Sequence, residues 1–180
     1  MKPNLEPILN NLSKAQAGLL RVADSVSEES WKTSSGNGAW SAAELVAHLM
    51  AVERTVITAA DRIVQKTPKQ IPWSKRFHLP MALVEARLIK RKSPIPIDPQ
   101  LIREKEEMLA ELRAVRERSL AFIAETQTRD LSAYRWPHPF LGSLNTYEWF
   151  QMIASHEVRH TKQMKEIAAS LPNCVASLQK

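Results

Sequence analysis

The stretch NTYEWFQMIASHEVRHTKQMKEIAAS, residues 145–170, decides how the rest of the chain is read. Asn145 and Glu148 have the spacing of a capping box, in which each side chain satisfies a backbone N–H at a helix start, and Pro172 stands just beyond the far end. Between them Trp149, Ile153, His156, His160, Met164, Ile167 and Leu171 recur at three- and four-residue steps. One face of a long helix is therefore apolar except for two imidazoles. Such a face is stable only against other helices with matching stripes.

Three further segments supply them. From Asn4 to about Val22, the residues Leu5, Ile8, Leu9, Leu12, Leu19 and Leu20 form one apolar stripe. Ser41 and Glu44 repeat the capping-box spacing and predict a helix from Ala42 to about Val64. Asp98 followed by Pro99 gives an N-cap with proline in the first helical position, predicting a helix from Pro99 to about Thr126. A short Ser-Glu-Glu-Ser-Trp stretch ends at Trp31, and Ser34 to Gly38 is a polar loop. Tyr134 to Leu144, with Pro137, Pro139 and Gly142, reads as loop, and no segment alternates strictly enough to define a strand. The expected fold is all-α, a four-helix bundle forming one domain over residues 1–180, with a long crossover connection between helices 2 and 3. A short helix over about Met81 to Lys92 is expected inside that connection.

Composition agrees. The chain has 180 residues, 44% hydrophobic, and at this size a domain buries roughly two-thirds of its unfolded surface without disulfide staples. Four glycines leave no Gly-rich phosphate loop. Cys174 is the only cysteine, which fits a reducing cytosol, and the N-terminus lacks the apolar stretch of a signal peptide. No run of about 18 apolar residues occurs, so the expectation is a soluble cytoplasmic protein with no membrane partner. The net charge is +6, but Lys66, Lys69, Lys75, Arg76, Arg87, Lys90, Arg91 and Lys92 stand against Glu85 alone, giving that segment +7 and the remainder −1. The excess belongs to one proline-bounded connection, where six of the eleven prolines lie between Pro68 and Pro99. A basic run there reads as a solvated, lid-like loop able to attract an acidic small molecule, and not as a nucleic-acid surface.

Chemistry points to the histidines. His156 and His160 project side by side from one face at i and i+4, the separation one metal ion bridges. His48 shares a face with Leu45, Ala51 and Val52 and is expected to look into the bundle, where facing helices assemble metal sites. Two buried imidazoles on one helix both need partners, so a divalent metal held by His48, His156 and His160 is the sharper reading. His78 and His138, in Phe77-His78-Leu79-Pro80 and Pro137-His138-Pro139, read as ordinary loop histidines. His156-Glu157-Val158-Arg159-His160 also matches the H-E-x-x-H of zinc metalloproteases. That reading lacks a third ligand downstream: Gln163 and Glu166 stand where one branch has Gly and His, and no acidic residue follows Glu166 for the other.

The sequence resembles the DinB-like (DinB/YfiT) superfamily of metal-binding helical bundles. The likeness rests on Trp40-Ser41-x-x-Glu44-x-x-x-His48-Leu49 with Glu53 beyond, and on Pro139-x-x-Gly142-x-Leu144 leading into Glu148-Trp149 and His156-Glu157-Val158-x-His160-x-x-Gln163. It implies three metal-binding histidines at His48, His156 and His160. The chain departs from the commonest pattern in reading His160-Thr161-Lys162-Gln163 where many relatives have His-Arg-Gly-Gln, and Arg159 stands where another His is frequent. The resemblance implies a small-molecule substrate and, in some relatives, a low-molecular-weight thiol used in transfer or isomerisation; others are hydrolases.

Three neutral imidazoles leave a metal its full charge, so a bound water or thiol loses its proton readily, and zinc or nickel is the first expectation for the ion. The expected function is a metal-dependent thiol S-transferase or hydrolase, and the alternative is a non-catalytic metal-binding or structural bundle. Glu157 is the catalytic candidate as proton acceptor, although its spacing favours a solvent-facing position. Gln163, one turn beyond His160, suits a supporting hydrogen bond to a ligand. Trp40, Trp73, Trp136 and Trp149 read as core or cap residues. Bundles of this sort often pair, so a homodimer is expected.

Overall fold

The computed structural model describes residues 4–34, 36, 38–68 and 98–171. The expectations for Met81 to Lys92, His78, Trp73 and Cys174, and for the basic connection beyond Lys66, lie outside these residues. Four long helices are present: α1 (Glu6–Asp24), α3 (Ala42–Ile63), α4 (Lys105–Thr126) and α5 (Thr146–Ser170), with a one-turn α2 at Glu28–Trp31. Helix α1 packs along α5, while α3 packs against both α4 and α5. None of the described helices is long and apolar enough to cross a membrane.

The local signals act as their chemistry dictates. At α3 the Ser41 hydroxyl accepts from the Glu44 N–H at 3.2 Å and Glu44 Oε2 accepts from the Ser41 N–H at 2.8 Å. Asn145 and Glu148 do the same for α5 at 2.9 and 2.7 Å. Each box satisfies two backbone donors that a helix start would otherwise leave open. Both helices are thus fixed at their N-termini.

The third helix departs from expectation. Asp98 does cap, its carboxylate accepting from the Gln100 N–H at 2.9 Å, but the segment it opens is a 3-10 turn over Pro99–Leu101. Ile102 and Glu104 are extended, and α4 starts afresh at Lys105. The break lets Leu101 and Ile102 lie against the core, and the buried Lys105 ammonium donates to the carbonyls of Asp24 and Val26 at the end of α1. A cation on those carbonyls offsets the negative end of the α1 dipole.

The loop expected over Tyr134–Leu144 contains an antiparallel hairpin, β1 (Arg135–His138) and β2 (Gly142–Asn145). Arg135 pairs with Asn145, Trp136 with Leu144, Pro137 with Ser143 and His138 with Gly142. Two strands this short leave Pro137 on an edge, where its missing N–H costs no ladder bond. Gly142 has φ 92°, the left-handed conformation that lets three residues close the turn. The hairpin lies on α5: Trp136 and Trp149 stack with ring centroids 5.1 Å apart, and Trp149 Nε1 donates to the Trp136 carbonyl at 3.3 Å.

The core is divided. One apolar cluster gathers Leu19, Trp31, Leu45, Met50, Met108, Leu112, Met164 and Ile167, and a second gathers Leu12, Val56, Phe122, Leu144, Phe150 and Ile153. Leu12 and Leu19 are fully buried, and truncating side chains so placed costs about 2–5 kcal/mol each. Between the clusters along α3, α4 and α5 the inward positions are polar: Glu53, Arg116, Ser119, Glu157 and His160.

Candidate metal centre

His48 leaves the middle of α3 and His156 and His160 leave the middle of α5, helices whose packing brings the three rings together. His156 Nε2 lies 3.3 Å from His48 Nε2 and 3.0 Å from His160 Nε2. One ligand atom from each ring lies within 4.8 Å of the other two, and no further His, Cys, Asp or Glu among the described residues joins the group. Nitrogens about 2.0–2.1 Å from a tetrahedral ion lie about 3.3 Å apart, so the donor set has the span a single cation needs.

The surroundings favour the neutral form of His48 and His156 and aim His160. His48 and His160 are buried and His156 is half-buried. Burial holds His48 down at about 4 from an ordinary 6.5. His156 lies well below its ordinary value, first through burial and then through the neighbouring His160 and His48, with Arg159 and His138 adding to it. Neutral imidazole is the ligating form. His160 Nδ1 meets Gln163 Oε1 at 3.0 Å, and because a carboxamide oxygen only accepts, Nδ1 carries the proton and Nε2 keeps its lone pair. The supporting role expected of Gln163 is therefore present in the geometry.

Trp40 also belongs here. Its ring stacks on His160 at 6.0 Å between centroids and tilts on His48 at 4.9 Å, closing one side of the cluster. The signal that marks it is its place one residue before the Ser41 cap, where an apolar side chain folds back over the first turn of the helix it precedes.

Glu157 is not solvent-facing. It is 2% exposed, and its Oε2 accepts from Arg116 Nη2 at 2.9 Å. Arg116 also clasps Glu53, Nε to Oε1 at 2.8 Å and Nη2 to Oε2 at 3.1 Å, and its Nη1 donates to the Leu12 carbonyl at 2.5 Å. The Ser119 hydroxyl donates to Glu53 Oε1 at 2.6 Å. Burial pushes Glu157 up to about 7, against the pull of the Arg116 guanidinium. One arginine on α4 thus ties α1, α3 and α5 together beside the histidines.

His138, read as an ordinary loop histidine, is the last residue of β1. Its Nδ1 accepts from the N–H groups of Phe140 and Leu141 at 3.1 and 3.2 Å, and its ring tilts on Trp149 at 5.1 Å.

A family model of the DinB superfamily matches residues 11–164, a span that begins in α1 and ends just past His160 and Gln163. This chain belongs to the DinB superfamily. The Bacillus subtilis (strain 168) protein described as uncharacterized protein YuaE is 32% identical over 129 residues, covering 71% of this chain and 76% of that one. A solved structure titled as that of TT2238, a four-helix bundle protein, superposes with a TM-score of 0.59 at 21% identity, covering 91% of this chain and 99% of that one. Both the family likeness read from the two sequence blocks and the bundle architecture hold, and membership is compatible with a metal at the three histidines.

Proposed function

We propose that this DinB superfamily member is a metal-dependent enzyme in which His48, His156 and His160 hold one divalent cation, zinc or nickel, at which a small thiol or water is activated for S-transfer or hydrolysis. The observation that carries the reading is the convergence of three Nε2 atoms at 3.0 and 3.3 Å from two separate helices, with Gln163 fixing the tautomer of one of them. Among the described residues no fourth protein ligand joins them, and three-histidine sets with a position left for substrate are the catalytic arrangement, whereas closed four-ligand sets are structural. A cation held by neutral imidazoles supplies charge that lowers the pKa of a coordinated water or thiol.

The chain's own residues supply the rest. Gln163 bonds His160 Nδ1 and Trp40 packs on both His160 and His48, which orients these rings, and burial favours the neutral form of His48. Glu157 enters as the anchor of the ligand helix through Arg116, and its other reading, proton acceptor, is separable by Glu157→Gln. An anchor predicts lower stability with unchanged pH dependence of turnover, whereas an acceptor predicts a lost limb of the pH profile. A cytoplasmic setting, a small-molecule substrate and a homodimer complete the reading.

Elemental analysis of the purified protein beside His48→Ala, His156→Ala and His160→Ala tests it first. The expected result is one zinc or nickel per wild-type chain and trace amounts in each variant. The metal-loaded protein is then incubated with low-molecular-weight thiols and a panel of electrophiles. Turnover above the metal-free control supports the transferase, and its absence together with ester or amide cleavage supports the hydrolase.

A further inference from the structure

One nitrogen joins the two helices that carry the histidines. Arg116 Nη2 has two protons, and it donates to Glu53 Oε2 on α3 at 3.1 Å and to Glu157 Oε2 on α5 at 2.9 Å. Glu53 stands five residues beyond His48, and Glu157 lies between His156 and His160. The main chain of α4 lies against α3 and stands off from α5, so the guanidinium crosses the interior to reach Glu157.

The guanidinium has little freedom to shift. Its Nε holds Glu53 Oε1 at 2.8 Å and its Nη1 holds the Leu12 carbonyl on α1 at 2.5 Å. Ser119, one turn along α4, donates to the same Glu53 Oε1 at 2.6 Å. Four of the five N–H groups of Arg116 are thus engaged, and the planar fork fixes the two carboxylates relative to each other. Well-packed apolar residues stabilise a core at least as well as a buried ion pair does, and the best attested use of buried ionic groups is to fix a register. The register at stake is that of α3 against α5, because His48 must meet His156 and His160 from the opposite helix. Metal–ligand distances tolerate only about 0.2 Å, so a small drift between these helices separates the donors.

We propose that Arg116 is a positioning residue of the metal centre: by bridging Glu53 and Glu157 it sets the spacing of α3 and α5 at which His48 reaches the ion shared with His156 and His160. It acts through the two helices and not by contact with the ion. The inference rests on the metal reading above. It assigns the buried network a role in metal affinity that is separate from its role in stability.

The test uses the full chain stripped of metal, with zinc affinity measured by competition with a chromophoric chelator and the coordination sphere read from the visible absorption of bound cobalt. Glu53→Gln keeps a carbonyl oxygen for Arg116 Nε and Ser119 but sets an amide group against Nη2, which opens the α3 half of the bridge. Arg116→Lys keeps the cation and loses the fork. Each variant should bind zinc about tenfold more weakly than wild type and shift the cobalt bands, while circular dichroism shows the helices intact. Phe122→Leu trims the second apolar cluster on the same helix, and it should lower stability yet keep zinc affinity within about twofold of wild type. Should Glu53→Gln or Arg116→Lys fail to fold, the other decides. Wild-type zinc affinity and cobalt bands in either folded variant would overturn the proposal, as would a loss of affinity in Phe122→Leu equal to theirs. Wild type that binds neither metal removes the metal reading itself, whereas metal-binding wild type with unaltered variants removes only this proposal.

Discussion

Arg116 and the histidine trio are neighbouring polar clusters in one core, and their neighbours treat them differently. Each of the three guanidinium nitrogens of Arg116 donates to the protein itself, to Glu53, Glu157 or the Leu12 carbonyl. In the trio, Nε2 atoms of like character face one another across 3.0 and 3.3 Å, and burial keeps His48 and His156 uncharged. The first arrangement is complete without any guest. The second brings together three ring nitrogens that could hold a cation. Helix α5 carries both, through Glu157 on one side and His156 and His160 on the other. The difference teaches that the charged network holds the backbone still so that the neutral one can stay poised, and it can be broken from either side.

Breaking the charged side has the largest effect. Arg116→Met leaves two buried carboxylates without a cation and removes a second donor from the Leu12 carbonyl, and breaking a buried pair on one side costs about 3–5 kcal/mol. Urea unfolding should show a lower midpoint with an unchanged slope. A loss under about 1 kcal/mol would mean that the network contributes little to holding the helices.

Breaking the neutral side should leave the metal-free fold standing. Gln163→Ala removes the acceptor on His160 Nδ1, and loss of such a partner lowers metal affinity 10–100-fold in comparable sites, on the order of 1.4–2.7 kcal/mol. Competition with a chromophoric chelator measures that change, while unfolding of the metal-free variant should stay within about 0.5 kcal/mol of wild type. Trp40→Phe keeps an aromatic wall and should alter metal affinity by only a few-fold.

The two clusters should also differ in sign with pH. His48 is held at about 4 when folded against an ordinary 6.5, so the unfolded chain binds the extra proton and the stability due to His48 is present above 6.5 and lost as pH falls towards 4. Glu157, raised to about 7 from an ordinary 4.5, acts oppositely: its contribution is full below 4.5 and fades as pH rises through 7. Chelator-treated His48→Ala should lose stability less steeply than wild type between 6.5 and 4. Glu157→Gln should flatten the decline on the other side, between 4.5 and 7. Parallel curves for wild type and His48→Ala would contradict the assignment.

How much of the molecule is legible in the sequence depends on the range of the interactions. Ser41 with Glu44 and Asn145 with Glu148 are legible because a capping box is satisfied within four residues, and both boxes are in place. His48, His156 and His160 are legible because helical spacing alone puts them on inward stripes. The start of α4 is not, because the break after Leu101 depends on what Lys105 finds at the end of α1. The burial of Glu157 is equally hidden, since its partner Arg116 comes from another helix and nothing in the local sequence announces it. The hairpin escapes notice because four-residue strands containing a proline carry no alternation worth reading, and with it goes the setting of His138. Gly142, four residues beyond His138, is the one local sign of its turn.

The central claim is that three helix-borne imidazoles form one metal centre, and calorimetric titration of zinc into chelator-stripped protein tests it most directly. The prediction is a single tight site per chain in wild type, absent in His156→Ala, which removes the ring whose Nε2 lies within 3.3 Å of both others. Wild type without a tight site, or His156→Ala binding zinc as wild type does, would contradict it.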